Sequence, residues 1–298
     1  MPLLPRWGRL FRAKPWKKPI TFEPGTWNGF SRMSIITLLT DFGNRDEYVG
    51  LMKGVILTIN PSVTLVDITH QIDSQDIVQA AFAIHSAYRY FPTGSVHLIV
   101  VDPGVGTGRS LLAFEMRKHY FIAPDNGVLT LLFNEDAATT LVRLTNSDYF
   151  LDTVSQTFHG RDIIAPVGAH ISRGVDLHQL GDEITSGHAV WLENFQPRIS
   201  DTGEIVGTVV AVDHFGNLIS NIDYQTLTQA NQIVHKNKTR IQIGSHTIYG
   251  IYQTYENVRP NTALGLIGSR GYLEVAVNKG NAARVLNAAK GDAVRVKI

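Results

Sequence analysis

The stretch S-V-H-L-I-V-V-D-P-G-V-G-T-G-R, residues 95–109, decides how this chain is to be read. Five apolar residues, Val96 and Leu98 to Val101, end on Asp102, and Pro103 with three glycines then turns the backbone back to Arg109. An apolar run with no polar alternation predicts a strand buried on both faces, as in a parallel sheet. The G-x-G-x-G pattern is superficially a dinucleotide loop, but that fingerprint needs a helix to open after the glycines. Ser110 to Glu115 and Tyr120 to Ile122 read as strand instead, so the dinucleotide reading is rejected. Glycines carry a conformational cost. Their density between an acid and a cation therefore favours a ligand-facing Asp102–Arg109 pair over a merely structural turn.

Outward from this strand, Ile35 to Leu39, Thr64 to Val66 and Val96 to Val101 read as strands, and Tyr48 to Ile59 and Ile77 to Phe91 as helices. Such alternation predicts βαβ units around a mainly parallel sheet. Right-handed crossovers gather the strand ends, with Asp41, Asp67 and Asp102, on the edge where ligands bind in open α/β sheets. After Gly187 comes an irregular connector. Ile205 to Val212, Arg240 to Ile243, Tyr249 to Tyr252, Tyr272 to Val277 and Ala293 to Ile298 then read as short strands, which predicts a small all-β barrel. The expected organisation is an α/β domain over 34–187, a linker over 188–203 and a β-barrel domain over 204–298.

Residues 1–33 hold seven of the 27 Lys and Arg and a single acid, Glu23, so the remainder is mildly acidic at 20 basic against 25 acidic residues. That balance gives no electrostatic reason to expect nucleic-acid binding. The opening segment, with Trp7, Trp16 and Trp27, reads as a poorly ordered basic extension rather than an arm for a membrane or partner. No apolar run reaches the roughly eighteen residues of a membrane span. The absence of cysteine excludes disulfides, thiolate nucleophiles and cysteine-ligated metals. A cytoplasmic location is the expectation that follows.

Other segments carry chemistry less specifically. T-D-F-G-N-R-D-E-Y-V-G (40–50) places Asp41 at a strand tip, suited to a ribose diol, and Asp46 near a helix start, where a cap is the plain alternative. D-I-T-H (67–70) hints at a metal pair but offers too few ligands. F-H-G-R-D (158–162) puts His159 in a glycine-containing loop, and A-P-D-N-G (123–127) has strong turn chemistry. D-H-F-G-N (213–217) and G-S-R-G-Y-L (268–273) set Asp213, Phe215, Asn217, Ser269 and Arg270 between strands.

In this order, T-D-F-G, D-I-T-H, V-D-P-G-V-G-T-x-R, P-D-N-G, F-H-G-R-D, D-x-F-G-N and S-R-G-Y resemble the S-adenosylmethionine hydroxide adenosyltransferase family. These are the hydrolytic relatives of the bacterial fluorinase and chlorinase, and the resemblance spans nearly all of residues 34–298. It implies a homotrimer with active sites between subunits, no cofactor, and S-adenosylmethionine as the substrate. It also implies a catalytic Asp102, Arg109 and His159, and ribose binding by Asp41. Methionine binding would fall to Asp46, Asp213, Ser269 and Arg270, and adenine contacts to Phe215 and Asn217. The fluorinase has tyrosines in place of Asp102 and His159 and a long insertion after the glycine loop; this chain has neither. Two other readings compete: a metal-dependent hydrolase or nucleosidase using Asp41, Asp67, His70 and His159, and a non-catalytic S-adenosylmethionine sensor.

Overall fold

The computed structural model describes residues 34–136, 138, 140–193, 195–230 and 238–297. The extension expected over residues 1–33 lies outside the described residues. The first sheet contains β1 (Ile35–Thr40), β2 (Thr64–Thr69), β3 (Val96–Val100), β4 (Leu111–Met116), β5 (His119–Pro124), β6 (Thr140–Leu144) and β7 (Gly181–Glu183), in the order β2-β1-β3-β5-β4-β6-β7. Helices α1 (Tyr48–Ile59), α2 (Ile77–Ala87), α3 (Thr130–Glu135) and α4 (Ala165–Ser172) cover it.

Alternation along β3 explains why all but His97 of its residues are apolar. Val96, Leu98 and Val100 enter one core with Met52, Ile56, Ala165 and Val167. Ile99 and Val101 enter another with Phe82, Ile84 and Leu132. Both faces are buried, and the strand's one polar residue, His97, is buried too. On the first face α4 sits so close that a side chain at Gly168 would overlap Leu98.

The expectation of a mainly parallel sheet needs correction, because the sheet is mixed. β1 pairs in parallel with β2 and β3, and β3 with β5, while β4, β6 and β7 join by antiparallel pairing. The glycine-rich loop after Asp102 returns the chain into a β4–β5 hairpin closed by Arg117 and Lys118 at φ 51° and 63°. Two left-handed residues form the turn whose twist suits a two-residue hairpin, but Asn-Gly or Asp-Gly usually marks it. Nothing in Arg-Lys announces such a turn.

The second sheet has nine strands and closes nearly into a barrel: β8 (Arg198–Ile199), β9 (Ile205–Val212), β10 (Leu218–Asp223), β11 (Arg240–Ile243), β12 (His246–Tyr249), β13 (Ile251–Tyr252), β14 (Ala263–Ile267), β15 (Tyr272–Val277) and β16 (Ala293–Lys297). The predicted strand Tyr249 to Tyr252 is broken at Gly250, whose φ of 87° suits glycine. Leu218–Asp223 and Ala263–Ile267 are strands that the sequence reading did not single out. Val210, Ala211, Ile219 and Tyr272 of this sheet join the core around α2 and α3. Among the described residues no helix is long and apolar enough to cross a membrane.

One polar cluster is sealed inside the first sheet. His97 is fully buried, meets Thr37 Oγ1 through Nδ1 at 2.8 Å and faces His119 Nδ1 through Nε2 at 3.1 Å. Burial, then the neighbouring His119, pushes its pKa down to about 3. A base with a depressed folded pKa stabilises the fold above its unfolded pKa of about 6.5, and that stability is lost as pH falls toward the folded value. Acidification from pH 7 to 5 should therefore destabilise the fold by about 2 kcal/mol through His97 alone. Thermal melts across this range should show a clearly shallower pH slope for His97→Gln; an identical slope would rule out His97 as the source.

Candidate active site

Asp102 follows β3 directly, and its carboxylate meets Arg109 from across the glycine loop. Arg109 Nε donates to Asp102 Oδ1 at 2.7 Å, and Arg109 Nη2 donates to Asp102 Oδ2. The side chains are only 11% and 6% exposed, so the charges meet in a partly desolvated place where a two-pronged geometry matters. The Gly104 amide adds a bond to Oδ1 at 3.2 Å, and Thr107 Oγ1 donates to the Gly104 carbonyl at 2.6 Å. Asn126 of the A-P-D-N-G turn donates to the Val101 carbonyl at 2.9 Å, bracing the residue before Asp102.

His159 arrives from the other side. Arg109 Nη2 lies 3.4 Å from His159 Nδ1, so the three polar groups form one continuous chain. The ring also meets the Ser155 backbone carbonyl. Its pKa is lowered by burial and by the Arg109 guanidinium, against opposition from Asp102 and Asp162. His159 is thus a neutral imidazole at neutral pH. With Nδ1 facing a guanidinium that can only donate, the tautomer that fits has its lone pair on Nδ1.

Asp162 holds this arm in place, and the sequence reading quoted it without giving it a role. It is fully buried and accepts from the Ser155 amide at 2.8 Å, the Ser155 hydroxyl at 2.7 Å and Arg161 Nε at 2.6 Å. Burial alone would raise its pKa, but the bonds from Arg161 and Ser155 outweigh that and hold the carboxyl low. Residues Gly160–Ile164 form one wide π-helical turn before α4. Such turns are costly in a helix and recur at functional sites.

Asp41 and Asp46 sit on the neighbouring loop. Phe42, Tyr48 and Phe158 form a ring cluster with centroids 5.2–5.6 Å apart, so the segment bearing both acids packs on the segment bearing His159. Asp41 Oδ2 accepts the Gln75 amide at 2.8 Å, holding a non-glycine residue at φ 65°. Asp46 is exposed. His70 bonds Thr40 Oγ1 at 2.9 Å and approaches Asp67 at 3.0 Å, while Asp67 is paired with Lys53 at 2.7 Å. These groups tie the ends of β1 and β2 together. Among the described residues no three His, Asp or Glu side chains converge as a metal site would need, which leaves the metal-dependent reading without a donor set.

The second sheet contributes a separate cleft of about 350 Å³, lined by Asp213, Phe215, Ser269 and Arg270 together with Tyr255 and Glu274. A larger one of about 630 Å³ shares Asp213, Ser269 and Arg270 and continues to α2. Neither is lined by Asp41, Asp46, Asp102, Arg109 or His159. Asn217 is also outside them: its side chain donates to Asp213 Oδ2 at 2.9 Å, and Asp213 Oδ1 accepts the amides of Phe215 and Asn217. Much of the Asp213 carboxylate is therefore engaged in building its own turn. Tyr255 and Glu274 were not foreseen. Glu274 carried a signal as the lone acid in Y-L-E-V-A-V, whereas Tyr255 carried none.

Residues 36–181 and 207–295 match the N-terminal and C-terminal domains of the SAM hydroxide adenosyltransferases. The chain belongs to this family. An (R)-S-adenosyl-L-methionine hydrolase from Salinispora arenicola is 33% identical, covering 88% of this chain and 97% of the relative. A fluorinase from Nocardia brasiliensis is 28% identical, covering 92% and 99%. Among solved structures, an uncharacterized conserved protein from Thermotoga maritima superposes with a TM-score of 0.81 at 35% identity, covering 88% of this chain and all of that one.

In this member of the SAM hydroxide adenosyltransferase family the glycine loop meets the His159 arm at Gly106. Its φ is 76°, and a Cβ there would overlap the Gln156 carbonyl. Gly106→Ala should therefore cost about 1–3 kcal/mol and push the glycine loop away from the His159 arm. Thermal melting equal to that of the unsubstituted protein would refute this packing.

Proposed function

We propose that this chain hydrolyses S-adenosyl-L-methionine to adenosine and L-methionine by attack of water on the 5′ carbon. Relatives bearing the hydrolase name at 32–34% identity support the reaction. The observation that carries the chemistry is the Asp102–Arg109–His159 chain, in which a fixed cation lies beside a neutral imidazole.

The sulfonium makes methionine a neutral leaving group, so departure needs no acid. As the oxygen–carbon bond forms, the carbon–sulfur pair returns to sulfur, and a water proton must leave. Bulk water, with a pKa of about 15.7, supplies almost no hydroxide at neutral pH. In this proposal Arg109 stabilises the developing hydroxide, His159 polarises the water or takes its proton, and Asp102 fixes the guanidinium plane. Asp41 would take the ribose hydroxyls with the oxygen that the Gln75 amide leaves open. Asp46, Asp213, Ser269 and Arg270 would hold the methionine end, and Phe215 and Asn217 the base.

We infer further that residues 34–187 and 204–298 act as two domains joined by 188–203. The site would be shared between subunits of a homotrimer, the α/β part of one meeting the β part of the next. The support is that Asp102, Arg109 and His159 line neither of the two clefts that Asp213 and Arg270 share.

Two experiments follow. Asp102→Ala, Arg109→Ala and His159→Ala should each lower adenosine formation from S-adenosylmethionine by at least about a hundredfold while the protein stays folded. Chromatography of the products measures this, and near-normal turnover by any variant removes that residue from the mechanism. Arg109→Ala and Arg270→Ala chains, each inactive alone, should recover about a quarter of the normal rate when co-expressed, because mixed trimers rebuild intact shared sites. No recovery in mixed trimers would place each site within one subunit.

A further inference from the structure

The outer wall of the second sheet gathers cations without counterions. Ile241 and Ile243 of β11 enter its core with Ile248 of β12 and with Val294 and Val296 of β16. Strand alternation therefore turns Arg240, Gln242, Thr247, Tyr249, Arg295 and Lys297 outward, and all six are exposed. Together they line a cleft of about 160 Å³, and no acid is among its lining residues. None of the six lines the clefts at Asp213 or belongs to the Asp102–Arg109–His159 group.

The register across these strands is costly. Arg240 lies directly between Lys297 and Tyr249, and Gln242 between Arg295 and Thr247. Like charges directly opposite one another destabilise a sheet. Elsewhere Arg89, Arg109, Arg117 and Arg161 each meet an acid. Among the described residues the side chains of Arg240, Arg295 and Lys297 make no hydrogen bond or ion pair. An anion seated between them would offset the repulsion.

We propose that this face is a second binding site, which takes the diphosphate group of a small ligand. The two guanidinium forks match the paired oxygens of phosphoryl groups, and Lys297 adds a point charge. A phosphomonoester brings only about −1.5 to −2 of charge, short of the three cations, and a second linked phosphoryl makes up the balance. The Thr247 and Tyr249 hydroxyls can donate as well. Gln242 Nε2 donates to the Gly244 carbonyl at 3.4 Å and keeps a second N–H for the ligand. Paired strands hold these groups at fixed spacings, which favours a preformed site. Size and charge also select against a long polyanion. Beyond residue 33 the chain has 20 basic against 25 acidic residues, so an extended nucleic acid would meet repulsion outside the patch, whereas a compact anion would not.

Calorimetric titration of the full chain with pyrophosphate, at fixed ionic strength and without divalent metal, reads binding directly and does not depend on turnover. Pyrophosphate should bind at least about tenfold more tightly than orthophosphate or sulfate. Arg240→Gln and Arg295→Gln should each weaken it at least about tenfold, the scale of one lost hydrogen bond to a charged group. Both side chains stand outside the core, so either variant serves if the other misfolds. Tighter binding of a nucleoside diphosphate than of pyrophosphate, lost in Tyr249→Ala, identifies a nucleotide as the source of the group; equal binding identifies the free diphosphate. No binding of pyrophosphate, equal affinity for sulfate, or an affinity unchanged in both arginine variants overturns the proposal. Tighter binding of a single-stranded oligonucleotide overturns it too, and would make the face a nucleic-acid surface.

Discussion

The pairing of Arg109 with Asp102 is the constraint around which the rest is arranged. A guanidinium with both prongs on one carboxylate loses its freedom to rotate, so its remaining N–H groups point in fixed directions. One of them is aimed at His159. Bringing two charges out of water is costly, and such a pair is weak evidence for stability. The fold tolerates it because the carboxylate stands at the end of a strand whose two faces are sealed by separate cores, which supply the free energy that the site does not.

That arrangement also explains why the two loops are so unlike the elements they leave. The 102–109 loop approaches the 155–158 segment until backbone meets backbone at Gly106 and Gln156. A side chain between them would hold Arg109 and His159 apart. On the far side Asp162 spends three hydrogen bonds on Ser155 and Arg161, fixing the segment that presents the imidazole. Each polar group near the centre is therefore oriented by another, and none relies on its own rotamer preference.

How much of this was legible in sequence depended on whether a signal was local. β1, β3, α1 and α2 carried their periodicity in single runs, and strand ends at Asp41 and Asp102 followed from them. The mixed character of the first sheet did not, because it turns on left-handed Arg117 and Lys118, residues that rarely mark a hairpin. The site divided in the same way. Asp102 and Arg109 share one unusual loop, whereas His159, 50 residues away, reads alone as an ordinary loop histidine, and only the motif order singled it out. His70 and Asp67 had the look of a ligand pair, yet packing shows them engaged with Thr40 and Lys53. Tyr255 had no signal at all, since its meaning comes from a partner 19 residues on across the sheet.

The two clefts that share Asp213 and Arg270 add a last constraint on how chemistry can be assembled. An in-line displacement needs nucleophile, carbon and leaving group nearly collinear, with reacting atoms about 3–3.5 Å apart. Groups that position the nucleophile and groups that hold the far end of a substrate must then face one another across a single space. Asp102, Arg109 and His159 line neither of the two clefts that Asp213 and Arg270 share. A second copy offers both surfaces again, and cyclic symmetry pairs unlike patches around a closed ring. In the proposed trimer, association would complete the site and exclude water from it at the same time. Dispersing charge between hydroxide and sulfonium proceeds best in that drier environment.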